Sequence, residues 1–419
     1  MKFTYRKSAV GAVLLCAAFA GGVAHAAELP DGTVLSKDNL DKVKGDTFEG
    51  HTIATLVTEK MEWQIRNTGL KLTLAHLPEP TLDPKYVEAT KANAANVKFD
   101  SATREVSGHV AGMPFPDISE SDSNAGDKVL WNVYYGSVFG KDVYNGVYFV
   151  TVNSSGYESQ QKWLFQRLFN KGRFGEGKPI LGDSDVLTKT IFVGVEPQDI
   201  KGTGTFTIRY DVPGRVEDQW AYIKSARRTR RLSGNAWMDP IGGFDLLQDD
   251  LYVYNARPSQ YKRNKLVGKR WILASTNFKL VHNTSKSGSA DEFPQLQKDA
   301  PYWNITDRYA PREVWVVEGT PPSEHPYSKK VVYVDTKVPV IYQGEVYDKK
   351  GEYWRQINFQ FAMEKGQSTG DKYFVPMAGS FIDIKAKHAT LEFEDPAITD
   401  KKGVTYEQFS VQALDTAQH

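Results

Sequence analysis

The stretch REVWVVEGTPPSEHPYSKKVVYVDTKVPVIYQGEVYDKKGEYWRQINFQF, from Arg312 to Phe361, decides the fold class of this 419-residue chain. It holds four runs that are rich in β-branched and aromatic side chains, with turn residues between them. The runs cover residues 313–318, 330–335, 339–347 and 353–361. They predict four consecutive antiparallel strands.

The last run has the clearest period of two. Tyr353, Ile357, Phe359 and Phe361 fall on one side of the predicted strand, and Gln356, Asn358 and Gln360 fall on the other. Residues 314–317 are apolar at both parities, as in a strand that is covered on both faces. The pattern therefore predicts that something packs over the sheet.

Composition indicates a globular protein without extremes. The hydrophobic fraction is 40%, the charged fraction is 25% and the mean hydropathy is -0.47, which argues against an integral membrane protein. The formal net charge of +1 gives no sign of a nucleic-acid partner. No stretch after residue 26 approaches the roughly 20 apolar residues of a spanning helix.

The first 26 residues have the pattern of an export signal. Lys2, Arg6 and Lys7 precede an apolar run, and Ala24-His25-Ala26 supplies small residues where signal peptidase cleaves. We expect cleavage after Ala26 and a periplasmic mature protein. The alternative, lipid modification of the single cysteine Cys16, is disfavoured because Leu15 before it is not small.

The mature chain changes from helical to strand patterns near residue 140. Helices are predicted within residues 36–43, 50–66, 83–95 and 124–138, with one strand at 70–74. Strands follow at residues 146–152, 157–169, 187–195, 203–212, 217–232, 271–281, 379–386 and 389–394. We expect a single domain, 27–419, whose helix-rich part (27–140) covers the sheet (141–419).

Motifs of enzymes are scarce. The histidines lack metal-ligand spacing, and the chain has no G-x-S-x-G elbow, P-loop or H-E-x-x-H. Gly202-x-Gly204 precedes a strand and is interpreted as a turn. We therefore predict no catalytic residues, no metal and no cofactor, and an exported hydrolase is the weakest of three alternatives.

Several motifs resemble a family of exported Gram-negative proteins of unknown function that are described as similar to outer-membrane lipoprotein-sorting proteins. They include Gly112-Met113-Pro114-Phe115-Pro116, the basic run at 225–232, residues 265–269 and 325–330, and the segment 347–355. One departure is Thr336-Lys337-Val338-Pro339, where the family pattern has an acidic residue and a tryptophan. The family has no agreed catalytic residues to carry over.

The resemblance implies a fold like that of the LolA and LolB carriers, a large unclosed antiparallel half barrel with helices over its concave face. It also implies a link to RND-type exporters. The favoured function is binding and transfer of a lipid or other hydrophobic ligand between such an inner-membrane exporter and the outer membrane, where the protein would be peripheral. The rival is a structural or assembly role, in which an apolar face docks a protein partner.

Candidate ligand contacts follow from the period-two pattern. An open half barrel has too little protein to cover its apolar face, so inward aromatic residues would line a cavity, whereas in a closed sandwich they would be core. The candidates are Phe206, Ile208, Tyr210, Trp220, Tyr222, Trp315, Ile357, Phe359 and Phe361.

Arg228 and Arg230 are candidate contacts for a lipid headgroup, because they share one face of a predicted strand while Arg227 and Arg231 share the other. The alternative interpretation is an exposed strand end whose arginines pair with nearby acids such as Asp245, Asp249 and Asp250.

Overall fold

Strands form most of the computed structural model, which describes residues 26–136, 139–224, 227–232 and 236–416. The predicted export signal lies outside these ranges, apart from Ala26. The helices are α1 Leu40–Val43, α2 Ile53–Leu56, α3 Glu59–Asn67, α4 Pro84–Asn93, α5 Ala125–Tyr134 and α6 Val411–Thr416. None of these helices has the length and apolar composition needed to span a bilayer.

The first six strands are short, and of these β1 and β4 join the main sheet that the later strands build. They are β1 Val34–Leu35, β2 Thr47–Phe48, β3 His51–Thr52, β4 Leu72–Leu74, β5 Lys98–Asp100 and β6 Glu105–Ser107. The next seven are β7 Asp142–Asn153, β8 Gly156–Phe169, β9 Val186–Glu196, β10 Gly204–Tyr210, β11 Asp218–Ile223, β12 Arg228–Arg231 and β13 Arg263–Ala274. The last are β14 Arg308–Thr320, β15 Lys329–Asp335, β16 Ile341–Tyr347, β17 Tyr353–Lys365, β18 Lys372–Asp383, β19 His388–Glu394 and β20 Ile398–Thr399.

Sixteen of the described strands join one sheet. From β14 the neighbours run β15, β16, β17, β18, β19, β7, β8, β9, β10, β11 and β12, all antiparallel, and β13 pairs with β14 on its other side. β4 adds a parallel pair beside Arg308 and Tyr309. The four strands predicted from the opening stretch are confirmed as β14 to β17.

The sheet bends strongly around the ring of Tyr252. In a flat sheet β8 and β17 would lie about 19 Å apart, four strand spacings. The Tyr252 ring centroid is nevertheless 6.4 Å from that of Phe165 on β8 and 6.0 Å from that of Phe359 on β17. Tyr252 therefore lies on the concave face of an unclosed barrel.

An irregular segment, residues 236–261, crosses this concave face, and we name it the covering segment. It buries Leu246, Val253 and Tyr261 completely. Val253 has a positive φ of 72° and fills the space above Gly344, where an added Cβ would lie 2.4 Å from its Cγ1. Gly344 is therefore required for the segment to lie this close to β16.

Helices pack on both faces of the sheet. On the concave side α5 approaches β13 so closely that a Cβ on Gly126 would lie 2.4 Å from the Asn264 carbonyl oxygen. On β17, Phe359 points to Tyr252, whereas Asn358 points the other way and its Nδ2 is 3.4 Å from Gln64 of α3. α3 thus lies on the convex face, and α5 and the covering segment cover the concave face. Of the helices predicted to cover the concave face, α5 does so and α3 does not.

Two predicted elements change at their ends for local reasons. The strand predicted at 271–281 overlaps β13 only as far as Ala274, and β13 begins earlier, at Arg263, because a bulge at Gly268 lets the pairing continue past an exposed Val267. The helix predicted at 50–66 is divided, since the Thr58 hydroxyl accepts from the Met61 amide and starts α3.

A fully buried ion-pair cluster attaches the covering segment to the sheet. Lys330 of β15 lies 2.8 Å from both Asp249 and Asp250, and all three side chains are inaccessible to solvent. Tyr261 donates to Asp249 at 2.6 Å, and Tyr327 donates to Asp250 at 2.5 Å. The cluster therefore joins the segment to β15 and to the turn before it.

Lys330→Met would remove the cation that is closest to both buried carboxylates and leave the Arg355 guanidinium 3.8 Å from Asp250. Breaking a buried ion pair from one side costs about 3–5 kcal/mol, and we expect a loss of that size in the free energy of unfolding. Lys329→Met is the matched control, because Lys329 is partly exposed and lies 3.5 Å from Glu318, an arrangement worth less than about 1 kcal/mol. Urea unfolding measures both, and equal losses would show that the cluster does not hold the segment.

Candidate functional site

The concave face encloses a cavity of about 300 Å³ between the sheet and the covering segment. Its sheet side belongs to β19, β7, β8, β9, β10 and the start of β11. Its lining residues are Val147, Phe149, Trp163, Phe165, Arg167, Thr188, Thr190, Phe192, Thr203, Thr205, Thr207, Arg209, Glu217, Gln219, Pro240, Ile241, Gly242, Gln248, Leu251, Tyr252, Asn255, Glu392 and Glu394. This volume is at the lower end of that of small-molecule sites.

Aromatic rings form one wall of the cavity. Trp163 stacks on Phe192 with centroids 4.6 Å apart and planes 9° apart. Phe149 lies beside them, and its ring is 6.3 Å from Phe192. Such a wall favours contact with an apolar or flat ligand surface.

Threonines form the neighbouring wall. Thr188 and Thr190 of β9 and Thr205 and Thr207 of β10 point into the cavity, whereas the alternate residues point outward. Their methyl groups extend the apolar surface, and their hydroxyl groups offer hydrogen bonds. The wall is therefore amphipathic and suits a hydrophobic molecule that carries a polar group.

Two arginines reach the cavity in different states. Arg209 donates through Nε to Glu217 at 2.5 Å and through Nη2 to the carbonyl and side-chain oxygens of Asn255. Arg167 donates through Nε to the Thr190 hydroxyl at 3.0 Å, and its guanidinium lies 5.0 Å from the Phe165 ring and 5.5 Å from the Tyr252 ring. Arg209 is neutralised locally, and Arg167 is held mainly by aromatic rings.

Two glutamates on β19 share the cavity face. Glu392 and Glu394 are only 4% and 3% exposed, and Asn145 donates to Glu394. Burial raises the pKa of Glu392 to about 7. Burial, then the charge of Glu392, raise the pKa of Glu394 well above its usual range. The pair therefore retains a proton near neutral pH.

The cavity opens at its Trp163 end into a surface groove of about 380 Å³ that also contacts Tyr222 and Lys224. A separate cleft of about 430 Å³ lies beyond Glu217 and is lined by Glu105, Tyr134, Tyr210 and Arg257 among others. Glu217 borders both spaces, so the Arg209–Glu217 pair separates the cavity from this cleft.

The structure places the predicted ligand contacts of β10 and β11 mostly outside the cavity. Phe206, Ile208 and Trp220 point to the convex face, where they pack against Phe409 and Leu414 at α6 and just before it. Tyr210 borders the cleft, and Tyr222 borders the groove.

The remaining predicted contacts lie on the concave face without lining the cavity. Ile357, Phe359 and Phe361 are at most 3% exposed and belong to the main core under the covering segment. Trp315 lies in the same core, with the Lys269 ammonium 4.3 Å from its ring. That these residues contact a ligand stays a prediction, and their packing gives them a role in the core.

Arg228 and Arg230 lie on β12 at the far edge of the sheet and are exposed. They pair with Ile223 and Ala221, which puts them on the cavity side of the sheet, and their contact with a headgroup stays a prediction. The predicted acid partners are engaged elsewhere: Asp245 binds His388 and Thr390, and Asp249 and Asp250 bind Lys330. That pairing is wrong, because the covering segment carries these acids to other strands.

None of the nine predicted ligand contacts lines the cavity, so both its aromatic wall and its polar residues are missed from the sequence. The alternation of Thr205 and Thr207 with Phe206 and Ile208 is visible in the sequence, but it predicts the apolar side to face the cavity. Glu392 and Glu394 alternate with buried Leu391 and Phe393, and charged residues inside a strand that is apolar on its other face were an available signal. Within the described ranges, no group of three or more His, Cys, Asp or Glu residues is placed to hold a metal ion.

Residues 34–415 match a protein family that is described as a protein of unknown function, DUF1329. The chain belongs to this family. No curated protein matches the chain.

Solved structures similar to this DUF1329 chain are distant in sequence. A DUF1329 protein from Desulfovibrio piger is 16% identical with a TM-score of 0.47, over 70% of this chain and 98% of that one. A putative outer membrane lipoprotein-sorting protein domain from Vibrio parahaemolyticus is 15% identical with a TM-score of 0.46, over 70% and 99%. A LolA superfamily protein from Nitrosomonas europaea is 13% identical with a TM-score of 0.40, over 69% and 98%.

The acid pair of this DUF1329 protein predicts a stability that falls as the pH rises. The folded pKa of Glu392 is raised, so the folded state binds the proton more tightly than the unfolded state between pH 4.5 and about 7. In the wild type the free energy of unfolding should fall by about 2–3 kcal/mol between pH 5 and pH 8, and we expect this fall to be absent in Glu392→Gln. The variant should melt higher than the wild type at pH 8.

Thermal unfolding from pH 5 to pH 8 measures this effect. Glu88→Gln on the exposed face of α4 is the control, and its melting curve should follow that of the wild type. If the melting temperatures of the wild type and of Glu392→Gln changed in parallel with pH, Glu392 would not be the group that retains the proton.

Proposed function

We propose that the protein binds a hydrophobic or amphipathic molecule in the concave-face cavity and transfers it in the periplasm. The observation that carries the proposal is the cavity itself, which has an aromatic wall, a threonine wall and an opening to the surface. An unclosed sheet leaves room for a ligand that its own side chains do not fill.

The opening at Trp163 supports transfer as well as binding. A carrier must release its ligand, and the groove with Tyr222 and Lys224 gives a path between the cavity and the surface. The amphiphile would enter and leave there while the attached covering segment stays in place. We further propose that an inner-membrane RND-type exporter and the outer membrane are the two ends of the transfer, on the basis of the export-signal pattern and the family resemblance.

The proposed role is not catalytic, and the assembly alternative has less support. Docking of a protein on an open apolar face requires such a face. The large hydrophobic side chains exposed among the described residues are Val34, Leu164, Val216, Val267, Val281 and Ile398, and no two of them lie on the same strand or on paired strands. Isolated residues of this kind are normal on a soluble surface.

Mass spectrometry of an organic extract tests the proposal directly. Protein purified from its native envelope should contain a lipid or other hydrophobic molecule at close to one per chain. A protein that copurifies with a partner and yields an empty extract would favour the assembly role.

Filling the cavity should prevent binding. Thr205→Trp places an indole beside Trp163 and Phe192 and should reduce the retained ligand at least tenfold, because the ligand and the indole compete for the same 300 Å³. Thr284→Trp on an exposed turn is the matched control and should retain the ligand. A folded Thr205→Trp protein with undiminished ligand would move the binding site elsewhere.

A further inference from the structure

Arg167 is a cation of the cavity without a carboxylate partner. It projects from β8, where Nε is used by Thr190 and the guanidinium lies over Phe165 and Tyr252. No carboxylate in the described part of the chain forms an ion pair with it. Glu217 and Glu394 act on Arg167 electrostatically, but Glu217 is paired with Arg209 and Glu394 is bound by Asn145. A buried cation is costly unless an anion compensates it directly.

Arg209 shows what a compensated arginine looks like in the same cavity. Its guanidinium has Glu217 on one side and two oxygens of Asn255 on the other. Arg167 and Arg209 both lie on strands that face the cavity, but only Arg209 has a carboxylate partner. The cavity therefore does not exclude a carboxylate beside an arginine, and the position next to Arg167 lacks one.

The charges of the cavity add up in favour of an anion. Arg209 and Glu217 cancel, and Arg167 stays protonated in any protein environment. Burial raises the pKa of both Glu392 and Glu394, and the charge of Glu392 raises that of Glu394 further, so the pair retains a proton near neutral pH and holds at most one negative charge. Before a ligand enters, the cavity thus has a net charge between zero and plus one, and a cationic ligand has no excess negative charge to meet.

The acid pair also leaves a position for hydrogen bonding. Glu392 is 4% exposed, and its Oε2 has no hydrogen-bond partner within the described residues. A carboxyl group that keeps its proton donates a hydrogen bond, whereas an ionised one only accepts. A neutral pair next to the Arg167 region therefore tolerates a second carboxylate that an ionised pair would repel.

We propose that the ligand is a monocarboxylate amphiphile whose carboxylate binds the Arg167 guanidinium while its apolar body lies along Trp163 and Phe192. The inference rests on the proposed function and adds the chemical class of the ligand. A guanidinium matches a carboxylate with two parallel hydrogen bonds. A single arginine flanked by acids suits one negative charge better than the two of a phosphate monoester.

The strand geometry gives the ligand a direction. Arg167 and Trp163 are four residues apart on β8, which corresponds to about 13 Å. Trp163 borders the surface groove and Arg167 does not. The carboxylate therefore enters first, and the apolar end lies toward the opening.

Three ligands that differ only in their polar end test the proposal on the full mature chain after removal of copurified lipid. Calorimetry would compare dodecanoate, dodecan-1-ol and dodecylamine. A charge-assisted hydrogen bond to arginine predicts that dodecanoate binds at least about tenfold more tightly than dodecan-1-ol. Dodecylamine should bind most weakly.

Variants of Arg167 locate the preference. Arg167→Met keeps an apolar side chain of similar length and should abolish the preference for dodecanoate, with dodecan-1-ol changed less than about twofold. Arg167→Lys keeps the positive charge but lacks the planar guanidinium, and it should retain part of the preference for dodecanoate. Arg308→Gln, an exposed arginine of β14, controls for net charge and should match the wild type.

Each other outcome overturns the inference, and the wild-type comparison decides even if a variant fails to fold. Equal binding of acid and alcohol, or a preference that survives in Arg167→Met, would leave a hydrophobic carrier without the carboxylate contact. Tightest binding of dodecylamine would assign the polar end to the glutamate pair. Binding of none of the three would reject the proposed function together with the ligand class.

Discussion

The buried interaction of Lys330 with Asp249 and Asp250 determines where the covering segment lies, and the interior depends on that position. The segment consists of short turns, so backbone hydrogen bonding to the sheet does not fix its register. Lys330 donates to the Asp249 carboxylate and also to the carbonyl oxygens of Asp249 and Val253 at 3.1 and 3.0 Å. Buried ion pairs contribute little net stability, but here a displaced segment would leave charges unpaired in the core. The interaction therefore selects one position among many.

The cavity is a consequence of this attachment at one side of a bent sheet. Near β15 to β17 the segment is held tightly, and Val253 fits over Gly344. Tyr252 marks the limit of this packed region, since its ring contacts both Phe359 of the core and Phe165 of the cavity wall. Beyond it the strands β7 to β10 continue to curve while the segment turns away toward Arg257 and Glu105, which bind each other. The cavity lies where the curved sheet and the covering segment are too far apart for their side chains to meet.

The strands were predictable from sequence, and so was the concave face of β17, but the face of β10 was not. Period-two patterns placed β14 to β17 and β10, because side-chain alternation is a local property. Which side of β10 meets the cavity depends on Phe409 and Leu414, about 200 residues later in the sequence, which cover Phe206 and leave Thr205 to the cavity. The covering segment gave no periodic pattern, since its position comes from side chains such as Asp249. Its contacts are long-range and leave no local signal.

The polar groups inside the cavity reduce the stability of the fold and so indicate a role that packing does not need. Leu391 and Phe393 on the outer side of β19 are fully buried, and apolar residues at 392 and 394 would suit a filled interior equally well. The cavity instead holds two carboxyl groups and a guanidinium without an ion-pair partner. Their contacts with described residues offset only part of the free energy lost when these groups leave water. Sites that bind ligands commonly hold groups of this kind, because activity and stability are optimised by different residues. A proton shared by the glutamates lowers their cost, and it keeps the net charge beside Arg167 from becoming negative. The same arrangement that makes the empty cavity unfavourable therefore makes it receptive to an anion that arrives with its own apolar body.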